Sequence, residues 1–341
     1  MKIFVTGGAG YIGSHTVHVL VRSGHEVVIY DNLTSGHRNS VPSKVTLIEG
    51  DVTDKSKLNF ALKSERPDMI VHFAALIEVE ESIRVPMKYY ENNLYGTLCL
   101  LEACDKNRIG NVVFSSTAAV YGEASSITLT EGSPKNPINP YGHSKLMSEK
   151  LIQDFSSANS WFRFVILRYF NVAGAQIDLN SGVASLKIGQ FRERATHLIT
   201  LAARAAVTNG EVKIFGTDYP TIDGTCVRDY IHVDDLANAH LKALEYLSGG
   251  NASDVFNCGY GDGYSVKQVL EAMKEVSGVN FKIEAAGRRP GDSPSLIANS
   301  NHAREILAWK PQFNKLGLIC RSAYDWEIVR ERLKKESESR I

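Results

Sequence analysis

The sequence predicts an α/β fold: a doubly wound parallel sheet with a smaller C-terminal substrate-binding portion. Three observations carry that prediction. A β-branched strand breaks into glycines just ahead of a helix at the N-terminus. Strands then alternate with helical stretches of roughly ten to fifteen residues. After Val172 the alternation weakens and glycine-rich irregular sequence takes over.

The first element, residues 2–6, reads as a buried strand. It runs into Gly7, Gly8, Ala9 and Gly10, and Tyr11-Ile12-Gly13 opens a helix. Gly8-x-Gly10-x-x-Gly13 therefore lies between strand and helix, where glycine permits the tight turn and lets backbone N–H groups approach a pyrophosphate at a helix N-terminus. A second strand, 26–30, ends in Asp31, about twenty residues on, where a carboxylate can hold a ribose 2′-hydroxyl. That combination predicts a Rossmann-type dinucleotide site. Asp31 favours NAD over NADP, since a 2′-phosphate would meet a carboxylate, with Arg38 as the one nearby basic residue to set against it.

The remaining elements follow in order. Residues 45–49, 67–73, 111–115 and 164–167 read as further strands, with helices at 54–64, 89–106 and 144–158 between them. Such βαβ units imply a parallel sheet with ligand contacts at the carboxyl ends of the strands. Residues 172–194 read as loop or short helix, 196–209 as helix and 212–215 as strand. Residues 228–233 precede a helix capped by Asp234 or Asp235, and 254–258 is another buried strand. Ser265 caps a helix over 265–277, 287–299 is turn-rich, and an amphipathic helix over 316–334 closes the chain.

Composition excludes several classes. Lys plus Arg and Asp plus Glu balance at 38 each, so no global field attracts nucleic acid or an anionic membrane. No apolar run approaches membrane-spanning length, and the N-terminal core strand leaves no room for a signal peptide. The cysteines (Cys99, Cys104, Cys226, Cys258, Cys320) form no CxxC pair, so they read as reduced residues of a cytoplasmic protein without a metal site.

The second decisive pattern is Tyr141 and Lys145, four apart at the start of a helix and so on one face. Ser115-Ser116-Thr117 precedes them at a strand end. An ammonium beside a phenol lowers the phenol's pKa from about 10, making a phenolate base accessible near neutrality. Thr117 brings a hydroxyl to the same point. Base, activator and orienting donor beside a nicotinamide suit removal of an alcohol proton as its hydride leaves.

These motifs, with YDNL at 30–33, EGDV at 49–52, HFAA at 72–75, YYENN at 89–93, SSTAAVYG at 115–122, YGHSKLMSE at 141–149, LRYFNVAGA at 167–175, VRDYIHVDDLA at 227–237 and RRPGD at 288–292, make the chain resemble the extended short-chain dehydrogenase/reductases, most closely the UDP-glucose 4-epimerases. The resemblance runs nearly end to end. It implies that Gly7, Gly10, Tyr11, Ile12, Gly13, the stretch Asp31, Asn32, Leu33, Thr34, Ser35, Gly36, and then Asp51 and Val52 hold the adenosine and pyrophosphate of NAD. Phe73, Ala74, Ala75, Leu76 and Asn92 would line the path to the nicotinamide, with Tyr141, Lys145 and Phe170 at its end. Thr117, Asn171, His197, Leu198, Lys213, Ile214, Phe215, Arg228, Arg289, Asp292 and Leu296 would hold a UDP-sugar, the arginines pairing with its diphosphate. The same resemblance divides the chain into an NAD-binding part, 1–171 plus 229–257, and a substrate-binding part, 172–228 plus 258–341, and implies a homodimer through the helices at 89–106 and 144–158.

Two departures stand out. Relatives carry a lysine two places after Ala74-Ala75, near the cofactor phosphates, where this chain has Ile77 followed by Glu78, Glu80 and Glu81. The loop at 176–194 also follows no family pattern. Dehydration is disfavoured, because the acid-base pair it needs after Thr117 is replaced by Ala118 and Ala119. A UDP-glucuronate epimerase remains an open reading, and a non-catalytic NAD-sensing regulator is disfavoured because a sensor needs no phenolate base. In similar epimerases the residue four past the RRPGD aspartate packs near the sugar's C2, and the resemblance puts the non-aromatic Leu296 there, which implies room for an N-acetyl group and some activity on UDP-GlcNAc and UDP-GalNAc.

Overall fold

The computed structural model describes residues 1–123, 128–177, 188–192, 195–289 and 292–338. The predicted loop 172–194 thus lies partly outside the described residues, as do Pro290 and Gly291 of the RRPGD motif.

The first half winds as the alternation requires. Strand β1 (Lys2–Thr6) leads into α1 (Tyr11–Arg22), then β2 (Glu26–Asp31), β3 (Thr46–Glu49), α2 (Lys55–Glu65) and β4 (Met69–His72). Asp54 caps α2, accepting the Lys57 N–H at 3.0 Å. The helix expected over 89–106 starts earlier. It runs as α3 (Val79–Arg84), α4 (Pro86–Tyr89), a π-helical turn over Tyr90–Tyr95 and α5 (Gly96–Asn107). Strand β5 (Asn111–Thr117) is longer than expected, so Thr117 is its last residue rather than lying just beyond it. After β6 (Thr128–Leu129), helix α6 (Pro140–Ala158) begins four residues before the expected start. Pro140 pre-sets the first turn and the Asn139 side chain caps it, so Tyr141 and Lys145 both lie within the helix.

Strand β7 (Arg163–Tyr169) then enters the sheet, followed by β8 (Asn171–Ala173), α7 (Leu198–Thr208), β9 (Glu211–Phe215) and β10 (Val227–His232). Helix α8 (Val233–Ser248) is capped by His232, whose Nδ1 accepts the Asp234 N–H at 3.1 Å. The expected aspartate caps are engaged elsewhere. Asp234 meets His15 of α1 at 2.8 Å, and Asp235 accepts N–H bonds from Gln312 and Phe313. The chain continues through β11 (Asp254–Cys258), β12 (Gly263–Ser265), α9 (Val266–Ser277), β13 (Lys282–Ala286), β14 (Ser295–Ala298), α10 (Asn301–Ile306) and α11 (Leu316–Glu338). Ser265 does cap α9, in a reciprocal box with Gln268.

The main sheet has the order β3-β2-β1-β4-β5-β7-β11, and every pairing is parallel. It is a Rossmann-type doubly wound sheet, and its strand order reverses between β1 and β4, which opens a crevice at the carboxyl ends. Its inner strands, β2, β1, β4, β5 and β7, are buried on both faces. Val5, Ile29, Val71, Val113 and Leu167 belong to one core with α1 and α8, while Phe4, Val28, Ile70, Val112 and Ile166 belong to the other with α2, α5 and α6. The second half adds a sheet of order β12-β10-β14-β6, with β8 on β10, and the pair β13-β9. The latter's β13 showed no strand signal in the sequence. All five cysteines are buried and free. Among the described residues no helix is long and apolar enough to cross a membrane, and no cluster of His, Cys, Asp or Glu could hold a metal ion.

Candidate active site

A cleft of about 1020 Å³ follows the carboxyl ends of β1, β2, β4, β5 and β7 and continues under the second half of the chain. At one end is the glycine loop. Gly7 has φ +69°, and a Cβ there would stand 2.6 Å from the Ala74 nitrogen; a Cβ on Gly13 would stand 2.2 Å from the Gly7 carbonyl oxygen. Only glycines let β1 turn into α1 this tightly while β4 passes alongside. The Asp31 carboxylate fixes the loop by accepting the Ala9 N–H at 2.9 Å and the Leu33 N–H at 2.8 Å. Its burial raises its pKa, and those two bonds work against the rise. The oxygens keep further lone pairs for a ribose.

These features fit a dinucleotide. They fit NAD in particular, because Arg38 turns away to pair with Glu49 at 2.6 Å and does not line the cleft. Gly10, Tyr11, Ile12, Asn32, Thr34, Ser35 and Val52 line this end as expected. Leu33, Gly36 and Asp51 are set behind its wall. The Asp51 carboxylate is taken by Thr53 and by the Asn32 amide at 2.7 Å.

In the middle, Phe73, Ala74, Ala75, Leu76 and Asn92 line the wall beyond β4. Asn93, which sequence reasoning passed over, holds this wall. Its amide accepts the Leu76 N–H at 2.8 Å and donates to the Leu76 carbonyl and the Ser144 hydroxyl at 3.0 Å each. The π-helical turn directs it inward, a phase shift that no periodicity reveals.

Tyr141, Lys145 and Thr117 converge beside Phe170 and Tyr169. Tyr141 is 8% exposed and Lys145 is 4% exposed. Thr117 accepts the Ala119 N–H at 3.1 Å, which leaves its own proton available to the Tyr141 phenol, whose pKa it acts to lower. The electrostatics correct the sequence-based expectation. Burial pushes the Tyr141 pKa up, and the Thr117 hydrogen bond only partly offsets the rise. Burial likewise pulls Lys145 down, to about 7, against the attraction of Glu149. The Lys145 ammonium faces the Phe114 ring at 4.4 Å, while Glu149 is held by a 2.6 Å ion pair with Arg168 and by Ser116. Burial thus disfavours the charged form of both groups, whereas an ammonium and a phenolate one helical turn apart favour each other.

At the far end, Asn171, His197, Phe215, Arg228, Arg289, Asp292 and Leu296 line the cleft. Asp292 ties the two arginines together, with Arg289 at 2.9 Å and Arg228 at 3.6 Å. Leu296 is paired with Arg228 across β10 and β14. Leu198, Lys213 and Ile214 do not reach the cleft. Ile214 faces the core, as strand alternation from Phe215 requires, and Lys213 points to Glu284 at 3.7 Å.

The NAD dependent epimerase/dehydratase family model matches residues 3–259. The chain belongs to that family. It is 47% identical over 327 residues to a UDP-glucose 4-epimerase of Azospirillum brasilense, covering 96% of this chain and 92% of the relative. Among solved structures, the UDP-Glc/GlcNAc 4-epimerase of Campylobacter jejuni matches with TM-score 0.83 at 47% identity, covering 96% and 99% of the two chains. The UDP-glucose 4-epimerase of Brucella ovis in complex with NAD matches with TM-score 0.90 at 39% identity, covering 95% and 97%.

Within this epimerase/dehydratase fold two described residues of the stretch the sequence left unassigned have definite partners. Phe191 packs on His37 at 4.8 Å, and Arg192 pairs with Glu78 at 3.2 Å. Beside Thr117 the wall is formed by Ala118 and Ala119, which have nothing to titrate.

Proposed function

We propose that the chain interconverts the C4 epimers of UDP-hexoses, UDP-glucose and UDP-galactose, using a tightly held NAD. The observation that carries this reading is one continuous cleft with a dinucleotide cradle at one end, a paired-arginine anion site at the other, and Tyr141, Lys145 and Thr117 between them. When bound, NAD supplies reversible hydride storage at the sugar's C4. The chain's own residues do the rest. Tyr141 takes the proton of the sugar 4-hydroxyl, and Thr117 orients that hydroxyl and the phenol together. Lys145 stabilises the phenolate. Arg228 and Arg289 anchor the diphosphate, so the oxidised sugar turns over without leaving. Tyr141 then returns the proton when the hydride comes back to the other face.

Leu296 supports a broader substrate range, because an aliphatic side chain there leaves space for the N-acetyl group of UDP-GlcNAc and UDP-GalNAc. The NAD-binding part comprises 1–171 plus 229–257 and the substrate-binding part the remainder, a division supported by β11 joining the main sheet and α8 packing on α1. Met87 at 74% exposure, with Tyr95, Leu98 and Met147, forms an apolar outer face on α4 to α6 that a second copy would cover in a homodimer. A cytoplasmic location agrees with five unpaired thiols.

The test is incubation of the purified protein with UDP-galactose, UDP-GalNAc and UDP-glucuronate separately, without added NAD. UDP-glucose and UDP-GlcNAc are the expected products. Tyr141→Phe is expected to lower turnover by roughly 10²–10⁴, the usual size of general-base help. Binding of NAD with no turnover of any UDP-sugar by the wild type would favour a sensor instead.

A further inference from the structure

Among the described residues, positions 76–80 of the wall beyond β4 offer a dinucleotide no cation. Leu76, Ile77, Glu78, Val79 and Glu80 line it in succession, so two carboxylates face the path of a doubly negative pyrophosphate. Among the described residues, the lysines and arginines on the cleft are Arg84, Lys145, Arg192, Arg228 and Arg289. Lys145 is buried under Tyr141, and Arg228 and Arg289 meet Asp292 at the opposite end. Arg84 is an outward residue, 3.9 Å from Glu80.

Arg192 differs from all of these. It belongs to a short strap, 189–192, that crosses from the second half of the chain to the glycine loop. The strap is fastened from behind: Trp326 Nε1 donates to the Gln190 carbonyl at 3.1 Å, Thr200 to the Gln190 side chain at 2.7 Å, and Arg204 to the Arg192 carbonyl. In front, Phe191 is wedged between Trp326, at 4.9 Å, and His37, whose N–H is bonded to Ala9 of the glycine loop. Arg192 then reaches Glu78 with Nη1 at 3.2 Å. One wall is touched by Phe191 and the other by its neighbour, so the strap spans the cleft beside the cradle. The guanidinium retains other N–H donors besides the one given to Glu78.

We propose that Arg192 is a cofactor-binding residue that donates to the pyrophosphate of NAD while Glu78 holds it across the mouth of the cleft. The pair neutralises Glu78, supplies the positive charge that positions 76–80 lack, and bars the way out of the site. The inference rests on the NAD-dependent reading above. The shared chemistry is a diphosphate, and NAD and the UDP moiety both carry one, so the test separates them.

The NAD content of the purified protein and the rate of NAD release into NAD-free buffer are measured for the wild type, Arg192→Gln, Arg192→Lys and Arg84→Gln, with UDP affinity measured by calorimetry on the same samples. Arg192→Gln is expected to release NAD roughly ten- to a hundred-fold faster, the range for losing one charge-assisted hydrogen bond. Arg192→Lys should recover part of the retention, and neither should weaken UDP as strongly as NAD. Unchanged release from Arg192→Gln, an equal effect of Arg84→Gln, no recovery with lysine, or a loss confined to UDP would each overturn the assignment. A wild type that neither carries nor takes up NAD would instead remove the underlying reading.

Discussion

Replacing Lys145 by Met tests how the phenol becomes a base. Burial raises the Tyr141 pKa, so without a cation it is at or above its free value of about 10. The ionised fraction at pH 7 would then be about 10⁻³ or less. Turnover of Lys145→Met is therefore expected to fall by up to about a thousand-fold at pH 7, the limit for a wild-type phenol fully ionised there, and to recover about tenfold for each unit of pH rise. In the wild type burial draws Lys145 to about 7, so its charge is present below that pH and fades above it as the phenol ionises, and the wild-type profile should be flatter than the variant's. The sign follows from charge: raising pH restores the phenolate that the missing ammonium no longer stabilises. The assay is UDP-galactose conversion measured by ion-exchange chromatography from pH 6.5 to 9, with NAD content checked on each sample. A variant whose profile keeps the wild-type shape at uniformly reduced rate would refute this account, since Lys145 would then only place the substrate or cofactor.

Other outcomes follow from the geometry. Gly13→Ala would put a methyl 2.2 Å from the Gly7 carbonyl oxygen, so the purified variant should lack NAD absorbance while its circular dichroism stays near normal. Leu296→Tyr should abolish turnover of UDP-GalNAc and spare that of UDP-galactose, which competition assays would detect. Leu98→Glu combined with Met147→Glu should shift the protein to a monomer in sedimentation velocity, because both side chains lie on the apolar outer face. Glu149→Ala would leave Arg168 charged and buried. Urea denaturation should show a loss of about 3–5 kcal/mol, the usual cost of breaking a buried pair from one side.

Much of the fold was legible because parallel strands buried on both faces read as apolar runs, and glycine punctuates them where they turn. The cofactor end was legible for the same reason: Gly7, Gly13 and Asp31 act through backbone shape and one charge, which sequence displays directly. Side chains that act through distant partners were not. Nothing near Asp234 in sequence announces His15, so it read as a helix cap although that role falls to His232. Phe191 and Arg192 sit in a stretch without periodicity, and their partners His37 and Glu78 lie far upstream in the loops after β2 and β4. The phenol's pKa was misjudged because spacing reports the neighbouring amine but not the desolvation that both groups share.

The wide turn at Tyr90–Tyr95 has an implication for redesign of this scaffold. A regular helix advances about 100° per residue, so consecutive asparagines cannot both serve one wall. Here Asn92 borders the cleft and donates to Asn93 at 2.9 Å, while Asn93 pins the loop beyond β4 to α6. Deleting a single residue to regularise this helix would rotate Asn92 and everything before it by about a quarter turn. The cofactor channel would lose its seam, even though every hydrophobic contact farther along α5 survived.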